Sequence, residues 1–224
     1  LPALMGIDES ISSDSLSDWN LVPKEPDWAE NLHQLWLPGE SAGFEALGRF
    51  LNTRVKDYSG GRDTPGKMNT SRLSPYLRFG NLSPRQVWRA AVSAKAVQPE
   101  SARSIDKFLT EIGWREFSYH LLFHFPHLPE EPFNPRFSNF PWKTDTGALT
   151  KWQTGQTGYP IVDAGMRELW ATGFMHNRVR MVVASFLTKH LLIDWRVGEA
   201  WFWDRLVDAD LASNSAGWQW VGGS

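Results

Sequence analysis

The chain has no cysteine. That excludes disulfide staples, thiolate zinc sites and cysteine nucleophiles, and it fits a reducing compartment without requiring one. No run of about eighteen apolar residues occurs, so no membrane-spanning helix is expected. The N-terminus lacks the basic-then-apolar pattern of a secretory signal. Gly-x-Gly-x-x-Gly, the P-loop, His-Glu-x-x-His and Gly-x-Ser-x-Gly are all missing, which leaves the NAD-enzyme, kinase and ordinary hydrolase readings without support. No stretch alternates convincingly as a strand. An excess of positive charge is missing too: the net charge of −2 argues against a uniformly basic nucleic-acid binder. The charge is uneven, however. Residues 1–30 hold seven acids and one base (Lys24), so of the 23 basic and 25 acidic groups in the chain, 22 and 18 lie beyond residue 30. A local basic face is compatible with this balance; a strong global field is not.

What is present is an ordinary globular composition, 42% hydrophobic and 21% charged over 224 residues, enough for one large domain. Thirteen tryptophans are the anomaly, and for most of them packing in a large helical core is a sufficient explanation. The stretch Leu206-Val-Asp-Ala-Asp-Leu-Ala-Ser-Asn-Ser-Ala-Gly-Trp-Gln-Trp220 is harder to assign to a core. It carries two carboxylates (Asp208, Asp210), an amide (Asn214) and two indoles (Trp218, Trp220). Residues two apart share a face on a strand but point nearly opposite ways on a helix. The surroundings are helical, so Trp218 and Trp220 should face different compartments. Buried carboxylates and amides need partners, and a large polar aromatic ligand would supply them.

Along the chain, residues 1–38 are rich in Ser, Asp and Pro and read as a linker or surface arm. Its position at the start, and the end at Ser224 just after the most informative stretch, suggest a fragment of a longer chain. From about residue 41 the pattern is helical, with Phe44, Leu47 and Leu51 on one face. A turn-rich loop, 57–66, leads into Thr70-Ser-Arg-Leu-Ser74, whose hydroxyls and backbone N–H groups near a helix start suit either an anion cradle or a plain capping segment. Ser83-Pro-Arg-Gln86 is a capping box opening a helix expected to bury Val87, Trp88 and Ala91. A long helix over 102–125 stops at Pro126. On it Glu111, Trp114, Arg115 and Ser118 form one stripe, a poor core face that reads either as a solvated surface or as a polar floor with a stacking platform. Residues 126–159 form an aromatic, proline-rich loop, too aromatic to be left unpacked. Pro160 opens a helix stopped by Gly173, and another runs from His176 to about Ile193 with Asn177, Arg180 and Met181 on one face. Arg180 is a natural partner for Asp208 or Asp210. A last helix, about 198–208, should bury Trp201 or Trp203. Seven or so helices and no strand make the expected fold class all-α.

Six segments in order now match one family: Thr70-Ser-Arg-Leu-Ser-Pro-Tyr76, Trp114-Arg-Glu-Phe117, Thr157-Gly-Tyr-Pro-Ile-Val-Asp-Ala-Gly-Met166, Met175-His-Asn-Arg-Val-Arg-Met181, Ile193-Asp-Trp-Arg196 and Asp208-x-Asp-x-Ala-x-Asn214 with Gly217-Trp-Gln-Trp220. Residues from about 36 to 224 resemble the FAD-binding helical domain of the photolyase–cryptochrome family. The resemblance implies residues 39–224 as an FAD- and DNA-binding helical domain, incomplete at its C-terminal end, with 1–38 as the linker from an N-terminal antenna domain that would carry any antenna chromophore. It implies FAD held by Tyr58, Thr70, Ser71, Arg72, Leu73 and Ser74 at its phosphates and ribityl chain, and lined by Asn177, Arg180, Asp208, Asp210 and Asn214, with Asn214 facing flavin N5. Glu111, Trp114, Asn177, Met181 and Trp220 match a pocket for a flipped-out pyrimidine dimer, and Arg62, Arg115 and Arg178 match phosphate contacts. Trp218, Trp195 and Trp142 match an electron relay to the surface, with Trp152 the rival for the terminal place. No metal is implied.

The chemistry implied is electron donation from light-excited reduced FAD to a cyclobutane dimer, with return of the electron after the ring splits. That needs a dry cavity and a held donor rather than a nucleophile. Asn214 resembles the photolyase choice where plant cryptochromes typically place Asp. The Glu111–Trp114 pair is retained, and Asn177 to Met181 lacks the paired His typical of (6-4) enzymes. The segment 113–123 with Phe140-Pro-Trp142 looks closer to bacterial photolyases allied to plant cryptochromes, so a cryptochrome photoreceptor is the alternative. A helical scaffold without cofactor would leave Asp208, Asp210, Arg180 and Asn214 as coincidence. The expected protein is a monomeric bacterial cytoplasmic enzyme associated with the nucleoid, acting on UV-damaged DNA and not on membranes.

Overall fold

The computed structural model describes residues 12–22, 24–27 and 29–223; residues 1–11 of the expected arm, with Pro23, Trp28 and Ser224, lie outside it. Eleven α-helices and no strand occur among the described residues. The chain divides into two compact units after Trp36, where the sequence reading set the boundary at residue 38. In the first unit a 3-10 turn, Leu16–Trp19, precedes a short helix α1, Glu30–Leu35.

The second unit begins with α2, Glu40–Thr53. Leu47 and Leu51 are buried as expected, but Phe44 is exposed. The reason is the rotation of the helix: Gly43 faces inward, where a Cβ would lie 3.0 Å from Leu82 Cγ. The expected loop at 57–66 opens instead as a helical turn, α3, Tyr58–Gly61. Then come α4, Ser74–Arg78, and α5, Pro84–Val97. The capping box at α5 forms: Ser83 Oγ accepts from Gln86 N at 3.2 Å and Gln86 Oε1 from Ser83 N at 2.7 Å. Val87 and Ala91, four apart, are buried; Trp88, about 100° further round the helix, is exposed. Helix α6, Ala102–His124, has 23 residues and is therefore about 34 Å long. Its first half buries Ile105, Phe108, Leu109 and Ile112, joining α2 and α5 in one hydrophobic cluster.

Residues 126–159 pack on the domain as expected, with Leu128 and Trp152 buried, but they contain a helix, α7, Thr146–Gln153, capped by Asp145 Oδ1 accepting from Ala148 N at 2.8 Å. Helix α8, Pro160–Thr172, ends at Gly173 in the left-handed region (φ 63°), as its sequence signals require. It meets α9, Asn177–Ser185, at Gly165, where any Cβ would sit 2.3 Å from Val179 Cγ1. The α9 pattern does not run to Ile193. It changes to a π-helical turn, Phe186–His190, and stops before Leu192, which has a left-handed backbone (φ 57°). Helix α10, Trp195–Arg205, starts earlier than the sequence suggested because Asp194 caps it through Arg196 N at 3.0 Å. Its inward face is therefore Trp195, Gly198 and Phe202, and Trp203 is exposed while Trp201 is half-buried. Helix α11, Leu211–Gly222, completes the unit. Helices α8 to α11 and Trp152 form a second hydrophobic cluster.

Candidate functional site

A cavity of about 640 Å³ is lined by residues of both clusters. One wall runs from Tyr58, Arg62 and Asp63 to the segment Thr70–Ser74. Helix α6 supplies Lys107, Glu111, Trp114, Arg115 and Ser118. The start of α9 supplies Asn177, Arg178, Arg180 and Met181, the approach to α11 supplies Asp208 and Asp210, and α11 itself supplies Ser213 and Trp220. The stripe Glu111, Trp114, Arg115 and Ser118 is thus a cavity face, and the two indoles of the last stretch separate as the helical period demands: Trp218 is 3% exposed in the core, Trp220 is 77% exposed at the cavity.

The inner part is polar and internally paired. Arg180 donates through one terminal nitrogen to both Asp208 oxygens, at 3.0 and 2.9 Å, and through Nε to Met175 O at 2.8 Å. Of the two aspartates open to it, Asp208 is the partner. Asp210 is used otherwise: its Oδ1 caps α11 through Ser213 N at 2.8 Å, and it accepts the hydroxyl of Tyr119. Burial and this bond raise the Tyr119 pKa. Arg78 donates to Ala209 O, pinning the same connection from the other side. Tyr58 packs edge-on against Phe50 and Phe108 with ring centroids 5.6 and 5.7 Å apart. Burial pushes its hydroxyl to about 12, so it remains a proton donor at neutral pH. Arg72 has a left-handed backbone (φ 54°) and lays its guanidinium over the Phe174 ring at 4.7 Å; burial lowers its pKa.

The mouth is charged. Glu111 is held by Arg62, and Lys107 lies 3.4 Å from the same carboxylate. Burial pulls the Arg62 pKa down, but its bond to Glu111 and the neighbouring negative groups outweigh that and leave it raised. Asp63 accepts from Arg178 Nε at 2.8 Å. Arg115 pairs with Glu116 at 2.7 Å and stacks on Tyr119 at 4.5 Å. His176 caps α9 by accepting Arg178 N at Nδ1, 3.2 Å away.

Asn214 is buried on α11, one residue beyond the cavity-lining Ser213. Its Nδ2 donates to the Glu199 carbonyl and Oε1, both at 3.0 Å. Burial raises the Glu199 pKa against the pull of those bonds. The candidate relay residues Trp218, Trp195 and Trp142 share the second cluster with Trp152. Trp152 is fully buried, donates Nε1 to Val183 O at 3.0 Å and meets Trp218 edge-on at 6.2 Å; Trp142 is half-buried. Solvent access, which a terminal relay residue needs, belongs to Trp142 of the two. The sequence reading missed Asp63, His176, Tyr119 and Glu199. Only His176 carried a local signal, a residue with a side-chain acceptor just before a helix start.

The residues fit FAD. The volume lies within the range of about 300–1,000 Å³ that holds ligands of cofactor size. The hydroxyl-bearing residues Thr70, Ser71 and Ser74 line the cavity together with the Arg180–Asp208 pair. No group of three or more His, Cys, Asp or Glu side chains able to hold a metal occurs among the described residues.

Comparison with known proteins agrees. Residues 108–224, just over half the chain, match the family described as FAD binding domain of DNA photolyase. A deoxyribodipyrimidine photo-lyase of Agrobacterium fabrum is 54% identical over 212 residues, covering 95% of this chain and 44% of that protein. Cryptochrome-2 of Arabidopsis thaliana is 39% identical over 245 residues, covering 97% of this chain and 40% of that protein. Among solved structures, a bacterial class III photolyase from Agrobacterium tumefaciens superposes with a TM-score of 0.90 at 53% identity, covering 96% of this chain and 44% of that one. The chain thus spans less than half the length of these relatives. Six ordered motifs, an all-helical fold around a polar cavity and these matches lead to one statement: the chain belongs to the family of the FAD-binding domain of DNA photolyase.

Proposed function

We propose that this chain is the flavin- and lesion-binding core of an enzyme that uses light to split cyclobutane pyrimidine dimers in DNA. The observation that carries the reading is the join of two environments in one cavity: a polar, internally paired interior around Arg180 and Asp208, and a mouth where Trp114 and Trp220 stand exposed among Arg62, Lys107, Arg115 and Arg178. Bound FAD, reduced and excited by light, would supply an electron to the dimer and take it back once the ring has opened. The protein's own tasks are to admit, hold and shield the lesion. The exposed indoles offer flat apolar faces to two extruded bases, repaying an unstacking cost that is smallest for a lesion already poorly stacked. Glu111 is placed to accept N–H groups of a base edge once it exchanges Arg62 for the ligand. The arginines suit backbone phosphates. Relatives named deoxyribodipyrimidine photo-lyase at 49–54% identity support repair; plant cryptochromes at 39–42% identity support the second reading, a blue-light photoreceptor without repair.

Trp114→Ala tests the lesion pocket. It should weaken binding of a dimer-containing oligonucleotide by about 1–3 kcal/mol, the worth of one base-stacking aromatic, while FAD content stays the same. Unchanged lesion affinity would remove Trp114 from the pocket and favour the photoreceptor reading.

A further inference from the structure

We propose that Asp63 is a built-in counter-anion that DNA must displace from Arg178, so that the protein grips undamaged backbone only weakly. The inference rests on the DNA-binding reading above. Arg178 lies in the first turn of α9 and Asp63 follows α3, and the two meet across the cavity mouth. The Asp63 carboxylate accepts from Arg178 Nε at 2.8 Å and lies 3.4 Å from Arg62 Nε. Both ends of the Asp63–Arg178 pair are open to water, with side chains 51% and 43% exposed, so neither is locked in place by packing. The bond from Arg178 holds the Asp63 carboxyl below its usual range, keeping it charged.

The cations nearest this pair already have partners within the chain. Arg62, Lys107, Arg115 and Arg178 each have a carboxylate of this chain within 3.4 Å. Deeper in, Arg180 is occupied by Asp208. A carboxylate and a phosphodiester present the same feature to a guanidinium, a singly charged anion with acceptor oxygens. A backbone phosphate arriving at Arg178 therefore replaces one ion pair by another and leaves the Asp63 charge beside it. Little is gained from the backbone alone, and net binding depends on what the bases contribute inside the cavity. For a repair protein that meets undamaged sites in vast excess, weak backbone affinity shortens each unproductive encounter.

The test measures binding of a fluorescein-labelled undamaged duplex to the FAD-loaded protein across a salt series. Asp63→Asn should tighten binding by about 3–10-fold at low salt and steepen the slope of log affinity against log salt by about one, the signature of one added phosphate contact. Asp63→Glu should behave as the parent. Asp106→Asn, an exposed acid paired with Lys95 and not among the residues that line this cavity, controls for overall charge and should shift affinity less than twofold, by roughly the weight of one screened surface charge. Adding Arg178→Ala to Asp63→Asn should abolish the gain. An unchanged Asp63→Asn, an equal rise in Asp106→Asn, or a gain that survives Arg178→Ala would each overturn the proposal. Parallel titration with a dimer-containing duplex separates the two ideas. No preference for damage in the parent protein would count against the repair reading, while the undamaged-duplex result would still decide the role of Asp63.

Discussion

At the scale of single residues, the cavity interior depends on charges that neutralise each other. The Asp208 side chain is 3% exposed and Arg180 remains partly solvated. Asp208→Ala should therefore destabilise the fold by about 2–3 kcal/mol, the lower side of what breaking a buried pair costs, read from denaturant unfolding; no loss would mean that Arg180 finds another anion. Gly198 is equally exacting for steric reasons, since a Cβ there would lie 2.1 Å from a Trp218 ring carbon and 2.7 Å from Leu187 Cδ2. Gly198→Ala should cost about 1–3 kcal/mol by overpacking, visible as a lower Tm, and an unchanged Tm would show that the Trp218 ring can shift. The pairing of Arg180 was half legible in the sequence. Its face on α9 could be read, but the choice between Asp208 and Asp210 could not, because Asp210 is diverted to capping a helix whose start depends on tertiary placement. The Asn214–Glu199 bond was not legible at all: the two residues lie on different helices, and no local pattern joins them.

At the scale of elements, punctuation was the legible part. Pro160 and Gly173 bound α8, and Ser83 to Gln86 start α5, because proline, glycine and capping side chains act locally. Rotation and termination decided by neighbours were not legible. Phe44 and Trp88 turn outward, α7 hides in a proline-rich segment, and α9 gives way to a π-helical turn. The start of α9 carries a pH dependence. His176 Nδ1 must stay unprotonated to accept Arg178 N–H, and burial lowers the imidazole pKa from 6.5. As pH falls below 6.5 the unfolded chain binds a proton that the folded chain refuses, so this contribution to stability is complete above 6.5 and declines toward the folded pKa. His176→Asn keeps an acceptor for the cap but does not titrate. Its loss of Tm between about pH 7 and 5.5 should be smaller than that of the parent; equal losses would show that His176 does not set the slope.

At the scale of the molecule, two hydrophobic clusters, one around α2, α5 and α6 and one around α8 to α11, leave between them the cavity on which the functional reading rests. The second cluster also holds the candidate relay residues, buried Trp218 and Trp195 and half-buried Trp142. Trp195→Phe should block light-driven reduction of oxidised FAD while leaving repair by already reduced protein intact; normal photoreduction would take Trp195 out of the relay. The measurement that bears most directly on the central claim is repair of a thymine-dimer oligonucleotide by the reduced, FAD-loaded protein under blue light, against a dark control. The account predicts restored thymines in the light and none in the dark. Flavin absorption with no repair in either condition would contradict it, leaving Trp114, Trp220 and Glu111 as parts of a photoreceptor rather than of a repair site.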